Sequence, residues 1–168
     1  MGSNDSTSRR TSVLFVCLGN ICRSPLAEGV FQHLVREAGL DDRFEIDSAG
    51  TGSWHVGERP DARAQMVATR HGVPLESRGR QITDEDLLRY DWVIAMDREN
   101  LRALERMASA VGSNAEIHLL REFDPDGEGD EVPDPYYGGA SGFETVYEMV
   151  YRSCEGLLDR LRAALAQT

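Results

Sequence analysis

A thiol at Cys17 and a guanidinium at Arg23 lie in one short stretch, CLGNICRS, with Gly19 and Asn20 between them and Ser24 directly after. These residue types at this spacing suit the capture of a tetrahedral oxyanion. Gly19 lets the chain approach a ligand closely, and Asn20 is one of the few side-chained residues that tolerates positive φ, so successive amides of residues 18 to 23 can turn inward as an anion nest. Arg23 adds a planar fork that matches two phosphate oxygens at once. Positive charge of this kind favours the thiolate form of a neighbouring cysteine, and a thiolate beside a bound phosphate is a nucleophile aimed at phosphorus.

Two rigid elements must hold that loop. Val13, Leu14, Phe15 and Val16 form the β-branched and aromatic run of a buried strand. Beyond the loop, Ser24 has the chemistry of a helix N-cap and Pro25 suits the first helical position. Leu26, Val30, Phe31, Leu34 and Val35 then recur at helical spacing up to Gly39. Leu18, Gly19, Asn20, Ile21 and Cys22 are thereby pinned between a strand and a helix N-terminus, whose partial positive charge adds to the anion site.

The remaining chain alternates in the same way. Phe44, Ile46 and Ser48 predict a second strand, Pro60 and Asp61 open a helix ending near Gly72, and Thr83 with Asp86 forms a capping box before a short helix. Trp92 to Met96 predicts the third strand, Asp97 a cap for the next helix, and Ile117 to Leu120 the fourth strand. Ser141 and Glu144 are a capping-box pair ahead of a long last helix. Its buried stripe contains Cys154, read as a small apolar packing residue. Strand and helix alternation predicts an α/β fold: a single domain over residues 13–168 with a four-stranded parallel sheet flanked by helices on both faces. Residues 1–12 are polar and aperiodic and read as a disordered tail. The segment 122–134 packs seven acids into thirteen residues; it lacks the final bidentate glutamate of a calcium loop and reads as a solvated acidic loop.

The chain resembles the low-molecular-weight protein tyrosine phosphatases. CLGNICRS near the N-terminus and DPYYGG from Asp134 onward carry the resemblance, and SAGTGSWHVG (48–57) and PDARA (60–64) extend it over nearly everything from residue 12. The larger tyrosine phosphatases place a His before the Cys and a Gly three after it; here those positions hold Val16 and Asn20. On its own sequence Asp134, beside Pro135, is an ordinary turn residue. The resemblance implies that it is the general acid, that Ser24 donates its hydroxyl to the thiolate, and that Trp54, Tyr136 and Tyr137 wall the mouth of a phosphotyrosine pocket. It also implies a redox-protective role for Cys22. Chemistry alone leaves that residue equally a thiol able to trap an oxidised Cys17 and a packing side chain.

The function expected is hydrolysis of phosphotyrosine proteins and small aryl phosphates through a cysteinyl-phosphate intermediate, with inorganic phosphate or similar oxyanions as ligands. No cofactor is expected, and no metal, because the four histidines are scattered without ligand spacing. The alternatives are an arsenate reductase on the same fold, whose oxidative relay needs cysteines that residues 78–97 lack, and a non-catalytic phosphotyrosine-binding module. A formal charge of −11 argues against nucleic acid and anionic membrane as partners. Three cysteines without a secretory signal point to a reducing compartment, the cytoplasm, and a monomer is expected.

Overall fold

The computed structural model describes residues 10–127, 129–136 and 140–166 of the chain. Four strands, β1 (Thr11–Cys17), β2 (Phe44–Gly50), β3 (Trp92–Ala95) and β4 (Glu116–Leu119), form one all-parallel sheet in the order β2-β1-β3-β4. Five helices connect and cover it: α1 (Arg23–Glu37), α2 (Ala62–Arg70), α3 (Asp84–Arg89), α4 (Arg98–Val111) and α5 (Ala140–Ala166). The four-stranded sheet and the helices on both faces agree with the sequence pattern.

Alternation along β1 divides the core. Val13 and Phe15 point into a cluster built with α1, α2 and α5, whereas Leu14 and Val16 point into a second cluster with α3 and α4. All four side chains are fully buried, and each contributes about 1.5–3 kcal/mol by leaving water. Thr11 and Ser12, expected in the disordered tail, belong to β1. Ser12 exchanges three hydrogen bonds with Asp91, which precedes β3. Residues 1–9 lie outside the described residues.

Because the chain leaves β1 toward β2 on one side and reaches β3 on the other, a crevice opens at the carboxyl end of β1, where parallel sheets place their ligands. Cys17 is the last residue of β1, beside Gly50 of β2. Asp97, two residues past β3, caps α4 by accepting from the Asn100 amide at 2.8 Å.

Three local readings need correction. Ser24 does not cap α1: the helix begins at Arg23, Cys22 occupies the cap position without a side-chain bond, and the Ser24 hydroxyl is engaged elsewhere. Ser141 lies inside α5, and Glu144 reaches across to His71, at 2.8 Å, and Arg70 on α2. The acidic segment is only partly solvated. Asp124 is buried between Arg121 and Arg152, the backbone carbonyl of Glu131 accepts from Arg121, and the Val132 amide donates to Met96 at the end of β3. Cys154 is buried in α5 with its thiol against the Ala27 carbonyl. No helix among the described residues is long and apolar enough to cross a membrane.

Candidate active site

The loop from Cys17 to Arg23 is shaped by where its carbonyls go. Cys17, Leu18 and Ile21 turn their carbonyls outward, accepting from the amides of Thr51, Gly52 and Asp61 at 2.9, 2.9 and 2.8 Å. In a trans peptide the following N–H points the opposite way, so the amides of Leu18, Gly19 and Cys22 face the inside of the loop. Asn20 sits at φ 57°, the one positive value found off glycine among the described residues, and its amide donates to Cys17 Sγ at 3.3 Å. A Cβ on Gly19 would come within 3.1 Å of the His55 ring, so a side chain there would require that ring to give by a few tenths of an ångström.

Beneath the loop runs a directed set of hydrogen bonds. The backbone N–H of Arg80 can only donate, and it meets Asn20 Oδ1 at 2.9 Å, which fixes the orientation of that amide. Asn20 Nδ2 then donates to Ser24 Oγ (2.8 Å) and to Ser48 Oγ (3.0 Å). One Ser24 lone pair accepts from Asn20, and the hydroxyl proton remains available to Cys17 Sγ, 3.0 Å away. Sulfur thus faces two donors, the Asn20 amide and the Ser24 hydroxyl, an environment that suits a thiolate. Asn20 and Ser24 are both buried and stand behind the ligand cavity; they support its floor rather than line it.

At the far end of that set, Ser48 Oγ donates to Glu28 Oε1 at 2.5 Å. Burial pushes the Glu28 carboxyl up to about 7, with Asp47 adding to the rise and Ser48, Ser77 and Arg80 opposing it. A carboxyl that titrates higher in the folded chain than in the unfolded one makes the native state the better proton binder between the two values. Stability therefore falls as pH rises from about 4.5 to about 7, by on the order of 3 kcal/mol for this group. Glu28→Gln should remove that slope, so the variant gains on the wild type between pH 4.5 and 7.5 in urea melts. Parallel pH profiles for the two proteins would show that Glu28 does not titrate there.

Arg23 is almost wholly buried, 3% exposed, and its guanidinium is held from two sides. Nη1 donates to Asp97 Oδ2 at 2.7 Å and to the Val132 carbonyl at 3.0 Å, while Nη2 lies 3.7 Å from Asp134 Oδ2. Burial alone would lower its pKa; Cys17, Asp97 and Asp134 outweigh that and raise it, so the cation is secure. Asp134 is more exposed than Arg23, and one of its oxygens accepts from the Tyr136 amide at 3.0 Å.

Cys17, Cys22, Arg23 and Asp134 all face one cavity of about 440 Å³. Leu18, Gly19 and Ile21 complete its floor, and Trp54, His55 and Tyr136 form its walls. Cys17 is 3% exposed at the bottom and Trp54 is 69% exposed at the rim, so the site is a polar floor beneath an aromatic mouth. Tyr137 lies outside the described residues. Burial, together with Asp61, Cys17 and Asp134, pushes the Cys22 thiol up and keeps it protonated. The cavity can hold a tetrahedral anion on inward amides and Arg23, with a sulfur nucleophile below it and a carboxyl beside it.

Sequence reasoning placed the loop and Asp134 but missed Asp97 as the partner of Arg23, His55 as a wall, and the supports Ser48 and Glu28. Asp97 had one available signal: it follows β3 at the carboxyl edge of a parallel sheet, beside the strand that carries Cys17.

The family model for low molecular weight phosphotyrosine protein phosphatase matches residues 12–167. The chain is 49% identical over 152 residues to the low molecular weight protein-tyrosine-phosphatase of Streptomyces coelicolor, covering 89% of this chain and 93% of that one. It is 45% identical over 150 residues to the low molecular weight phosphotyrosine protein phosphatase of Homo sapiens, covering 89% and 94%. The crystal structure of the protein tyrosine phosphatase from Entamoeba histolytica with Hepes in the active site superposes with a TM-score of 0.86 at 35% identity, over 92% of this chain and 98% of that one.

Proposed function

The chain belongs to the low molecular weight phosphotyrosine protein phosphatases, which are phosphoric monoester hydrolases, and on that footing we propose that it cleaves phosphotyrosine through a phosphate ester of Cys17. The observation that carries this reading is the convergence of Cys17, Arg23 and Asp134 on one cavity with aromatic walls.

In the first step the Cys17 thiolate attacks phosphorus, the S–P bond forms and the P–O bond to the aryl group breaks. Arg23 and the inward amides of Leu18, Gly19 and Cys22 hold the non-bridging oxygens, whose geometry and charge they match. Asp134 gives its proton to the departing phenolate. In the second step Asp134 takes a proton from water, the water oxygen attacks phosphorus, and the S–P bond breaks to release inorganic phosphate and regenerate the thiolate. In the free enzyme Asp134 rests 3.7 Å from Arg23, and a bound phosphate would take over the guanidinium and free the carboxyl to face the leaving oxygen. Trp54 and Tyr136 line the cavity and can offer apolar faces to a phenyl ring, which supports phosphotyrosine over the shorter phosphoserine. Positive charge at the phosphate is supplied by Arg23 and backbone amides, so the scheme calls on no metal ion.

Rapid acid quench of enzyme mixed with a phosphotyrosine peptide, in the presence of a chelator, should trap one phosphate on Cys17, and inorganic phosphate should be released on longer reaction. Hydrolysis with no trapped Cys17 adduct at any time would instead indicate direct attack by water. Arsenate consumption coupled to a thiol donor, in place of phosphate release, would support the reductase alternative.

Cys22 lines the same cavity as Cys17, which supports a role in intercepting an oxidised Cys17. Its thiol would displace water from a Cys17 sulfenic acid to give a disulfide that a reductant reverses. Peroxide-treated protein should then show a 17–22 linkage by mass spectrometry; inactivation without it would leave Cys22 as packing.

A further inference from the structure

Arg63 stands in the first turn of α2, outside the floor of the cavity, and touches both loops that meet there. Its guanidinium is clamped onto the Asp61 carboxylate: Nε donates to Oδ1 and Nη2 to Oδ2, each at 3.0 Å, and the Arg63 amide donates to Oδ1 at 2.8 Å. Asp61 is mostly buried, caps α2, and its own amide holds the Ile21 carbonyl of the phosphate loop at 2.8 Å. From that anchored position Arg63 Nη2 donates to the Tyr136 carbonyl at 2.9 Å, and the guanidinium lies over the Tyr136 ring at 5.5 Å and the Phe143 ring at 4.7 Å. Tyr136 in turn donates its amide to Asp134 Oδ1.

We propose that Arg63 is a positioning residue for the general acid, fixing the 134–136 segment against the phosphate loop through Tyr136. The proposal rests on the reading of Asp134 given above. A continuous path runs from Ile21 through Asp61, Arg63 and Tyr136 to the Asp134 carboxylate, so the distance between the bound phosphate and its proton donor is set by one turn of helix. Asp134 sits in a non-helical segment and is more exposed than the buried Arg23. Placement errors near 1 Å cost about 10²-fold in catalysis, and this is the error that loss of the tether would introduce. The residue type follows from the job. Only a planar fork can grip a carboxylate with two nitrogens, give a hydrogen bond to a carbonyl and stack on two rings together.

The test compares Arg63→Ala, Arg63→Lys, Asp134→Asn and the double variant Arg63→Ala with Asp134→Asn, on phenyl phosphate and on p-nitrophenyl phosphate. Inhibition by inorganic phosphate and thermal melting are measured alongside. Arg63→Ala should lower kcat/KM, which reports the first chemical step, by about 10²-fold on phenyl phosphate and far less on the nitrophenyl ester, with phosphate inhibition unchanged. The double variant should be no slower than Asp134→Asn alone, because both changes act on one proton transfer. Arg63→Lys should show a smaller loss with the same leaving-group dependence, and it carries the measurement should the Ala variant melt below the assay temperature. A raised KM with kcat intact would make Arg63 a substrate contact, and fully additive losses would make it independent of Asp134; either result overturns the proposal. If Asp134→Asn shows leaving-group dependence and Arg63→Ala does not, Arg63 alone loses its role. If Asp134→Asn itself slows both esters equally, the Asp134 reading falls and the proposal falls with it.

Discussion

Cys17→Ser is expected to bind phosphate as the wild type does while losing turnover by roughly 10⁴-fold or more, the scale on which removing a covalent nucleophile acts. The exchange replaces sulfur by a smaller oxygen and changes none of the groups that hold the anion. The inward amides are fixed by carbonyl contacts to Thr51, Gly52 and Asp61, and Arg23 is fixed by Asp97 and the Val132 carbonyl. A serine hydroxyl at that position stays protonated in a site built to stabilise a thiolate, so nucleophilicity disappears although binding remains. Arg23→Ala should behave differently, losing turnover and phosphate binding together, because it removes the cation of the floor. Calorimetric titration with phosphate beside steady-state assays separates the two variants. A Ser variant that retained appreciable hydrolysis would require another nucleophile, and an Ala variant that still bound phosphate would move the anion site away from Arg23.

Asp134→Asn tests the assignment that depends most on the neighbours of the site. If the carboxyl protonates the departing oxygen, its contribution to that first step, read from kcat/KM, is of the order of 10² to 10⁴-fold and matters there only where the leaving group is basic. Phosphotyrosine hydrolysis should slow by that factor. A nitrophenyl ester, whose stabilised phenolate departs unprotonated, should slow less. Phosphate inhibition should change little or tighten slightly, because Arg23 no longer has an anionic neighbour at 3.7 Å in the free enzyme. Equal slowing of both esters would reduce Asp134 to a residue that shapes its loop.

The parts of this molecule that were legible in the sequence are those governed by neighbours in the chain. A central parallel strand is buried on both faces, so Val13 to Val16 reads as an unbroken apolar run. The caps at Asp61, Thr83 with Asp86, and Asp97 are local bonds within three residues, and each was readable from residue type and spacing. Ser24 misled for the same reason. It has the chemistry of a cap and stands before a proline, but tertiary structure gives its hydroxyl to Asn20 and Cys17. The contacts that complete the site join residues far apart: Arg23 to Asp97, Arg63 to Tyr136, Asn20 to Ser48 and to the Arg80 amide. Arginine and aspartate pairs of this kind leave no period in a sequence, because any of eighteen basic residues can meet any of twenty-nine acidic ones. Asp134 carries no local mark of its chemistry, and only the likeness of DPYYGG to a known family singled it out.

The long last helix has a bearing on how the protein comes into being. The nucleophile loop leaves the ribosome early, yet α5 covers α1 and contributes Phe143 beneath Arg63, while Asp134 lies just ahead of that helix. At translation rates of roughly 5–20 residues per second, the thiol precedes its acid partner by on the order of 10 s. Through that interval α1 lacks its packing partner, and the nascent chain carries a cysteine and an arginine with neither the Val132 carbonyl nor the tether from α2 to the acid segment in place. Activity should therefore switch on only once α5 has emerged and packed, and ribosome-bound chains stalled before residue 134 should be inert toward aryl phosphates.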